Sequence, residues 1–278
     1  SILILNCKDQ KGIVARLSAA LFEWQANIIT ADQFTSSDTD CSFFVRIAFS
    51  YDASVSKLSD LQQSLKEVGD QLNATWRLFN QDHRLRMGVL LSKEDHCLHD
   101  LLYHWKAGDF WVDIPFIISN HPQHEGLAAH YGIPFHYIPA QSADRKEDAI
   151  LALVKDQTDF LVLARYMQII SPQFLGQYAK DVINIHHSFL PSFKGGNPYQ
   201  QAFDKGVKII GATAHFVTES LDEGPIIVQQ VLPVSHEDTA SMMKQRGRSI
   251  EKIVLTEAVG LYLQHRVIRF GHKTIVFR

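Results

Sequence analysis

The chain reads as α/β in two units: a small β-α-β-β-α-β module, then an open, mostly parallel sheet with helices on both faces. Two observations carry this reading. Residues 1–81 alternate short strand-like runs with two stretches of helical period. From residue 85 to 278 several apolar runs are instead continuous, as in a sheet buried on both sides. The polar "NQDHR" at 80–84 is the hinge between the two rhythms.

In the first unit, "ILILNC" (2–7) is the first strand. A helix follows in "IVARLSAALFEWQA", where Ile13, Leu17, Ala20, Leu21 and Trp24 fall on one stripe. "NIITADQFTS" and "CSFFVRIAFS" are two strands across a polar turn, Ser37 to Asp40. A second helix carries Val55, Leu58, Leu61, Leu65 and Val68 on one face. "LNATWRLF" closes as a fourth strand, with Leu72, Ala74, Trp76 and Leu78 alternating. The order is a ferredoxin-like plan. Together with "DQKGIVARLSAALFEWQANI" it resembles an ACT domain. That resemblance implies an amino-acid effector held by Asp9, Gly12, Asn27 and Ile28, and pairing between chains into a dimer or tetramer. A glycine at position 12 suits a helix start where backbone closely approaches a ligand or a second chain.

In the second unit, "LRMGVLLS" (85–92), "FIISN" (116–120) and "FLVLARY" (160–166) are the continuous apolar strands. "HCLHDLLYHWKAG", "GLAAHYG" and "EDAILALVKDQ" supply crossover helices, giving a Rossmann-like open sheet. Sites in such sheets lie beyond the carboxyl ends of the strands. The first strand runs into "SKEDHC" without glycine, and neither G-x-G-x-x-G nor a Walker A pattern occurs. Nucleotide cofactors are therefore not expected.

Composition narrows the classes further. A net charge of −3 offers no basic footprint for nucleic acid, and no apolar run approaches the ~20 residues of a membrane span. Three scattered cysteines, Cys7, Cys41 and Cys97, without a C-x-x-C pair, read as reduced thiols of a cytoplasmic protein. Cys97 stands between His96 and His99, but no matching cluster at zinc spacing occurs elsewhere, so no metal is expected.

The stretch "DVINIHHSFLPSFKGGNPYQQAF" carries the chemistry. Side chains alternate across a strand, so Asn184 and His186 share one face while Ile183, Ile185 and His187 share the other. His187 is then expected to point away and support the following turn. Downstream, "GVKIIGATAHFVTESLDEGPIIVQQ" is a strand, a loop and a strand, with Asp222 in a turn set by Gly224 and Pro225. Asn donates N–H to a developing oxyanion, His donates or shuttles a proton, and Asp orients the imidazole or accepts a proton. The set suits acyl transfer without a covalent intermediate, since no serine sits in a G-x-S-x-G elbow.

"INIHHSFLPSFKGGNPYQQAF", "GVKIIGATAHFVTESLDEGPII", "LVLARYMQIIS", "ISNH" and the closing "KTIVF" resemble the folate-dependent formyltransferases, most closely their hydrolytic branch. The resemblance implies hydrolysis of 10-formyltetrahydrofolate to tetrahydrofolate and formate, feeding one-carbon and purine metabolism. It implies Asn184, His186 and Asp222 as the catalytic trio. Folate contact would come from Leu163, Arg165, Met167 and Ile169, with Glu219 in the facing loop. It implies no cofactor and no metal. Glycine or methionine would suit such an enzyme as effector. The family's usual G-A-K-P-Y-H-Q-A is "GGNPYQQA" in this chain, so Asn197 and Gln200 replace a lysine and a histidine. The alternative within the family is transfer of the formyl group to an amine acceptor. A further alternative is an amino-acid-sensing protein that has lost turnover.

Overall fold

The computed structural model describes residues 1–37, 41–52, 58–139, 143–192 and 197–278. It divides into Ser1–His83 with Phe277–Arg278, and Arg84–Val276.

The first unit runs β1 (Ile2–Lys8), α1 (Ile13–Glu23), β2 (Asn27–Thr35), β3 (Ser42–Ser50), α2 (Leu58–Leu72) and β4 (Thr75–Phe79). The antiparallel sheet has the order β2-β3-β1-β4, as the ferredoxin-like plan requires. Leu3, Leu5, Val45 and Ile47 of the sheet bury against Ile13, Leu17 and Leu21 of α1 and Leu61 and Leu65 of α2. Of the residues expected in the second helix, Val55 lies outside the described residues, as do positions 38–40 of the expected turn. The fourth strand begins later than expected, because α2 continues through Leu72. Asn73 then turns left-handed (φ 50°), and the Asn73 and Ala74 N–H groups cap the Asp70 and Gly69 carbonyls.

The geometry refines two readings of this unit. Gly12 has φ 86°, a left-handed backbone that itself favours glycine, and none of the chain's own atoms would lie within 4 Å of a Cβ there. Asp9 and Gly12 follow β1 at the Ser42 end of β3, since Lys8 pairs with Ser42, whereas Asn27 pairs with Ser50 at the other end. Those ends lie roughly 25 Å apart along a strand. The four residues do not meet within one chain.

The second unit runs β5 (Leu85–Leu91), α3 (His96–Ala107), β6 (Val112–Asp113), β7 (Ile117–Ser119), α4 (Glu125–His130), β8 (Phe135–Tyr137), α5 (Ala143–Gln157) and β9 (Phe160–Leu163). It continues with α6 (Pro172–Tyr178), β10 (Val182–His186), α7 (Pro198–Asp204), β11 (Ile209–Phe216), β12 (Ile226–Pro233), α8 (Ala240–Leu263), β13 (Val267–Phe270) and β14 (Lys273–Val276). The large sheet has the order β12-β11-β10-β9-β5-β7-β8, with β6 beside β5. It is parallel from β10 to β8 and antiparallel through β11 and β12. The continuous apolar runs are explained by helices on both faces. Met87, Val89, Val162, Ile183 and Ile185 pack with α3 and α8, while Leu90, Leu161 and Leu163 pack with α5 and α6.

The run expected as one strand over 160–166 stops at Leu163. The Ala164 N–H still bonds to the Leu90 carbonyl, but Arg165 turns left-handed (φ 66°) and the chain leaves the sheet. That departure creates the loop of residues 164–171. No described helix is long and apolar enough to cross a membrane.

Candidate active site

β10 places Asn184 and His186 as the alternation requires. Ile183 and Ile185 enter the core on the α3/α8 side, and Asn184 and His186 face the opposite way at the strand's carboxyl end. Asp222 comes from the loop after β11, with left-handed backbone (φ 56°). That loop folds tightly onto the sheet. A Cβ on Gly224 would lie 1.7 Å from the Phe216 carbonyl oxygen, so only glycine fits. Gly224 is thus needed for close approach as well as for the turn. The result is an ion pair of 3.3 Å between His186 Nδ1 and Asp222 Oδ1, with both side chains at most one-tenth exposed. Folding therefore brings the expected trio together. His186 Nε2 is buried and has no hydrogen-bond partner among the described residues.

His215 was not anticipated, and it completes the arrangement. It pairs across the strands with Asn184, beside a bulge at Ala214/His215. Its Nδ1–H donates to the Phe216 carbonyl at 2.9 Å, which leaves Nε2 as an acceptor 3.2 Å from Asn184 Nδ2. Burial pushes the His215 pKa below its ordinary value, outweighing the opposing pull of the Phe216 carbonyl and Asp222. A neutral His215 therefore fixes the Asn184 amide with nitrogen toward the ring. One Nδ2 proton serves His215 and the other is left for a ligand.

A cavity of about 250 Å³ opens beside these groups, lined by Leu163 and loop residues 165–170, by Asn184 to His187 and His215, and by residues 217–219, 221 and 222. That is close to the lower end of small-molecule sites, roughly 300–1,000 Å³. It suits a bicyclic ring system with the rest of the ligand extending outward. The loop wall is held from behind by β5 and β7. Ser92 Oγ accepts from Met167 N–H at 3.0 Å and donates to Asn120 Oδ1 at 2.7 Å, and Ser92 N–H bonds to the Arg165 carbonyl. The loop's far end is tied by Glu147, which accepts from both Ser171 N–H and Ser171 Oγ.

The expected folate-contact residues divide into two kinds. Met167 and Ile169 are 51% and 69% exposed, so they form an open apolar wall rather than core. Leu163 and Glu219 also line the cavity, Leu163 buried and Glu219 exposed. Arg165 lines the cavity as well, with its side chain buried and its Nε 3.3 Å from Glu251. His187 differs from its expected part. β10 ends at His186, so the alternation no longer governs the next residue. The His187 ring stacks on His186 (5.3 Å, 16°) and lines the same cavity. The turn is supported by Ser188 instead, whose Oγ–H donates to the Ser192 carbonyl at 2.7 Å. Asn197 and Gln200 are not among the cavity's lining residues. Asn197 is left-handed at the start of α7, and Gln200 bonds to Asp204 along that helix.

Glu251, in the middle of α8, is the other residue the sequence concealed. It is 1% exposed and accepts from His96 Nε2 at 2.8 Å and Tyr199 Oη at 2.5 Å. Burial alone pushes its pKa up, but His96, Arg165 and Tyr199 together pull it below the ordinary carboxylate range. Its ligand atoms and those of His96 and Cys97 lie within 4.8 Å of one another, while His99 is exposed beside Asp95. Burial holds the Cys97 thiol well above its usual pKa, and the Arg165 cation already pairs with the carboxylate.

Residues 85–259 match the formyl transferase family. A formyltetrahydrofolate deformylase of Synechocystis sp. is 44% identical over 99% of this chain and 97% of its own length. The chain belongs to the formyltetrahydrofolate deformylase family. The crystal structure of a family member from Burkholderia mallei superposes with a TM-score of 0.92 at 38% identity, covering 100% of this chain and 99% of that one. A glycinamide ribonucleotide transformylase from Symbiobacterium toebii reaches 0.67 at 30% identity. It covers 73% of this chain and 98% of its own. Family resemblance to transferases thus leaves over a quarter of the chain unmatched, whereas resemblance to deformylases spans all of it.

Proposed function

We propose that this chain hydrolyses 10-formyltetrahydrofolate to tetrahydrofolate and formate. The observation that carries the reading is the convergence of Asn184, His186 and Asp222 at the polar side of an apolar-walled cavity. The apolar loop wall of Met167 and Ile169 suits the flat pteridine, with backbone groups of the same loop to orient it. The formyl carbon then lies beside the trio. A water near Asp222 attacks that carbon, and the tetrahedral oxyanion accepts from the free Asn184 Nδ2 proton and from His186 Nε2. Asp222 at 3.3 Å from Nδ1 keeps the imidazole oriented. Collapse breaks the C–N10 bond, N10 takes a proton, and formate leaves. Each step uses side chains of this chain alone, without cofactor or metal.

The same reading makes the first unit a regulatory and oligomerising ACT-like domain. Since Asp9 and Gly12 lie at the opposite end of its sheet from Asn27 and Ile28, a site using all four takes them from two chains. Glycine or methionine is the proposed effector, the assembly a dimer or tetramer, and the setting cytoplasmic formate supply for purine synthesis. Calorimetry with each amino acid and sedimentation test these points. No heat with either, or a monomer, removes them.

The deciding experiment mixes the protein with 10-formyltetrahydrofolate in water and measures formate. Release without an acceptor, abolished by Asp222→Ala, supports hydrolysis. Turnover only on adding an amine makes the chain a transferase. Amino-acid binding with no turnover under any condition would leave a sensor.

A further inference from the structure

The cavity has an inner wall whose polar groups the trio does not use. Arg165 and His187 both line it, and each is more than nine-tenths buried. Among the described residues, Arg165 NH1 and His187 Nε2 have no hydrogen-bond partner. Arg165 Nε faces Glu251 at 3.3 Å but is not aligned for a hydrogen bond, so the guanidinium is neutralised from one edge only. Leaving a buried charged donor unpaired is costly, and a native site tolerates it where a ligand completes it.

The ring of His187 stacks on that of His186, so the His187 donor adjoins the reacting position, and Arg165 lines the same cavity. Behind them stands a rigid support. Tyr199 packs 6.2 Å from His187 and donates to Glu251, and its ring occupies the space that a side chain at position 247 would need. A Cβ on Gly247 would lie 2.0 Å from the Tyr199 hydroxyl. The inner wall is therefore built and fixed.

We propose that Arg165 and His187 form a subsite for a small carboxylate anion, the formate released by hydrolysis. This deepens the hydrolase reading and rests on it for the anion's source. Water adds oxygen to the formyl carbon and the C–N10 bond breaks. One water proton ends on N10 and the other leaves through Asp222, so the one-carbon product is an anion. It forms beside the Asp222 carboxylate, which repels it. Arg165 is the one Lys or Arg among the described residues that line the cavity. A guanidinium edge matches the two oxygens of a carboxylate, and a His187 Nε2–H adds a third donor.

The probe is 13C-labelled formate alone, titrated by NMR into the intact chain and into three variants. Saturable binding is expected, weakened about tenfold or more by Arg165→Gln and weakened by His187→Asn. Glu251→Gln has the opposite expected sign. It removes the carboxylate that offsets Arg165, so formate binds more tightly, whereas general damage to the cavity would weaken it. An Arg165→Gln affinity equal to wild type overturns the subsite. If that variant does not fold, weaker or unchanged binding in Glu251→Gln overturns it instead. Formate binding that follows Arg165 in a chain releasing no formate from 10-formyltetrahydrofolate keeps the subsite and removes the hydrolase reading. Hydrolysis with formate affinity indifferent to Arg165 does the reverse.

Discussion

Gly247→Ala sets two physical effects of opposite sign against each other. Position 247 is interior to the 24-residue helix α8, where alanine is favoured over glycine by about 1 kcal/mol. Helix propensity alone therefore forecasts a stabilised protein. The structure forecasts the reverse. The new Cβ would lie 2.0 Å from Tyr199 Oη and 2.2 Å from the ring carbon bearing it. Neither the helix backbone nor a ring 8% exposed can yield that distance freely. Overpacking of this kind costs ~1–3 kcal/mol. Expelling Tyr199 also removes a donor from Glu251, at ~1.5–3 kcal/mol for a hydrogen bond to a charged group. Subtracting the propensity gain leaves a net loss of roughly 1.5–5 kcal/mol. A loss of 2 kcal/mol in a domain near 200 residues lowers the midpoint by about 4–8 °C. The assay is thermal unfolding followed by tryptophan fluorescence, with a Tyr199→Ala, Gly247→Ala double variant alongside. The double variant lacks the clash, so it should recover part of the loss. A single variant as stable as wild type, or more so, would show that Tyr199 does not occupy this seat.

Other perturbations address the site directly. Asn184→Ala removes one oxyanion donor and should lower kcat roughly 100- to 1000-fold with circular dichroism unchanged; retained turnover in a folded variant would remove Asn184 from the mechanism. Gly224→Ala cannot fit against Phe216 O, so the loop carrying Asp222 must shift. A displacement near 1 Å costs on the order of 100-fold in kcat, and wild-type kinetics would refute the close approach. Burial holds the His215 pKa below its ordinary value of about 6.5, so the unfolded chain takes up its proton first as pH falls. Stability from this group is complete above about pH 6.5 and declines below it. His215→Gln should flatten the midpoint-against-pH curve in that range, and parallel curves for the two proteins would count against a buried neutral ring.

What the sequence disclosed, and what it hid, follows from the range over which each signal acts. The two-unit α/β reading rested on period and continuity of apolar residues, which are local, and both sheets have the expected character. The shared face of Asn184 and His186 was equally local, because alternation along one strand sets it. The same rule misplaced His187, for it holds only while the chain remains a strand, and β10 ends one residue earlier. The pairing of Arg165 with Glu251 was hidden for a related reason: a left-handed residue directs its side chain where neither helical nor strand period can anticipate. Glu251 was hidden differently. A carboxylate amid "RGRSIEK" reads as a solvated helix face, and nothing nearby says that His96, Arg165 and Tyr199 will surround it. Those partners come from after β5, after β9 and from α7. Each lies toward the carboxyl end of the sheet, where such folds bring distant segments together. His215 belongs to the same class, since only the antiparallel pairing of β10 with β11 sets it against Asn184. The residues that touch the substrate in the proposed mechanism were thus legible from short motifs. The residues that fix amide orientation and charge balance were not, because each acts through a contact made only on folding.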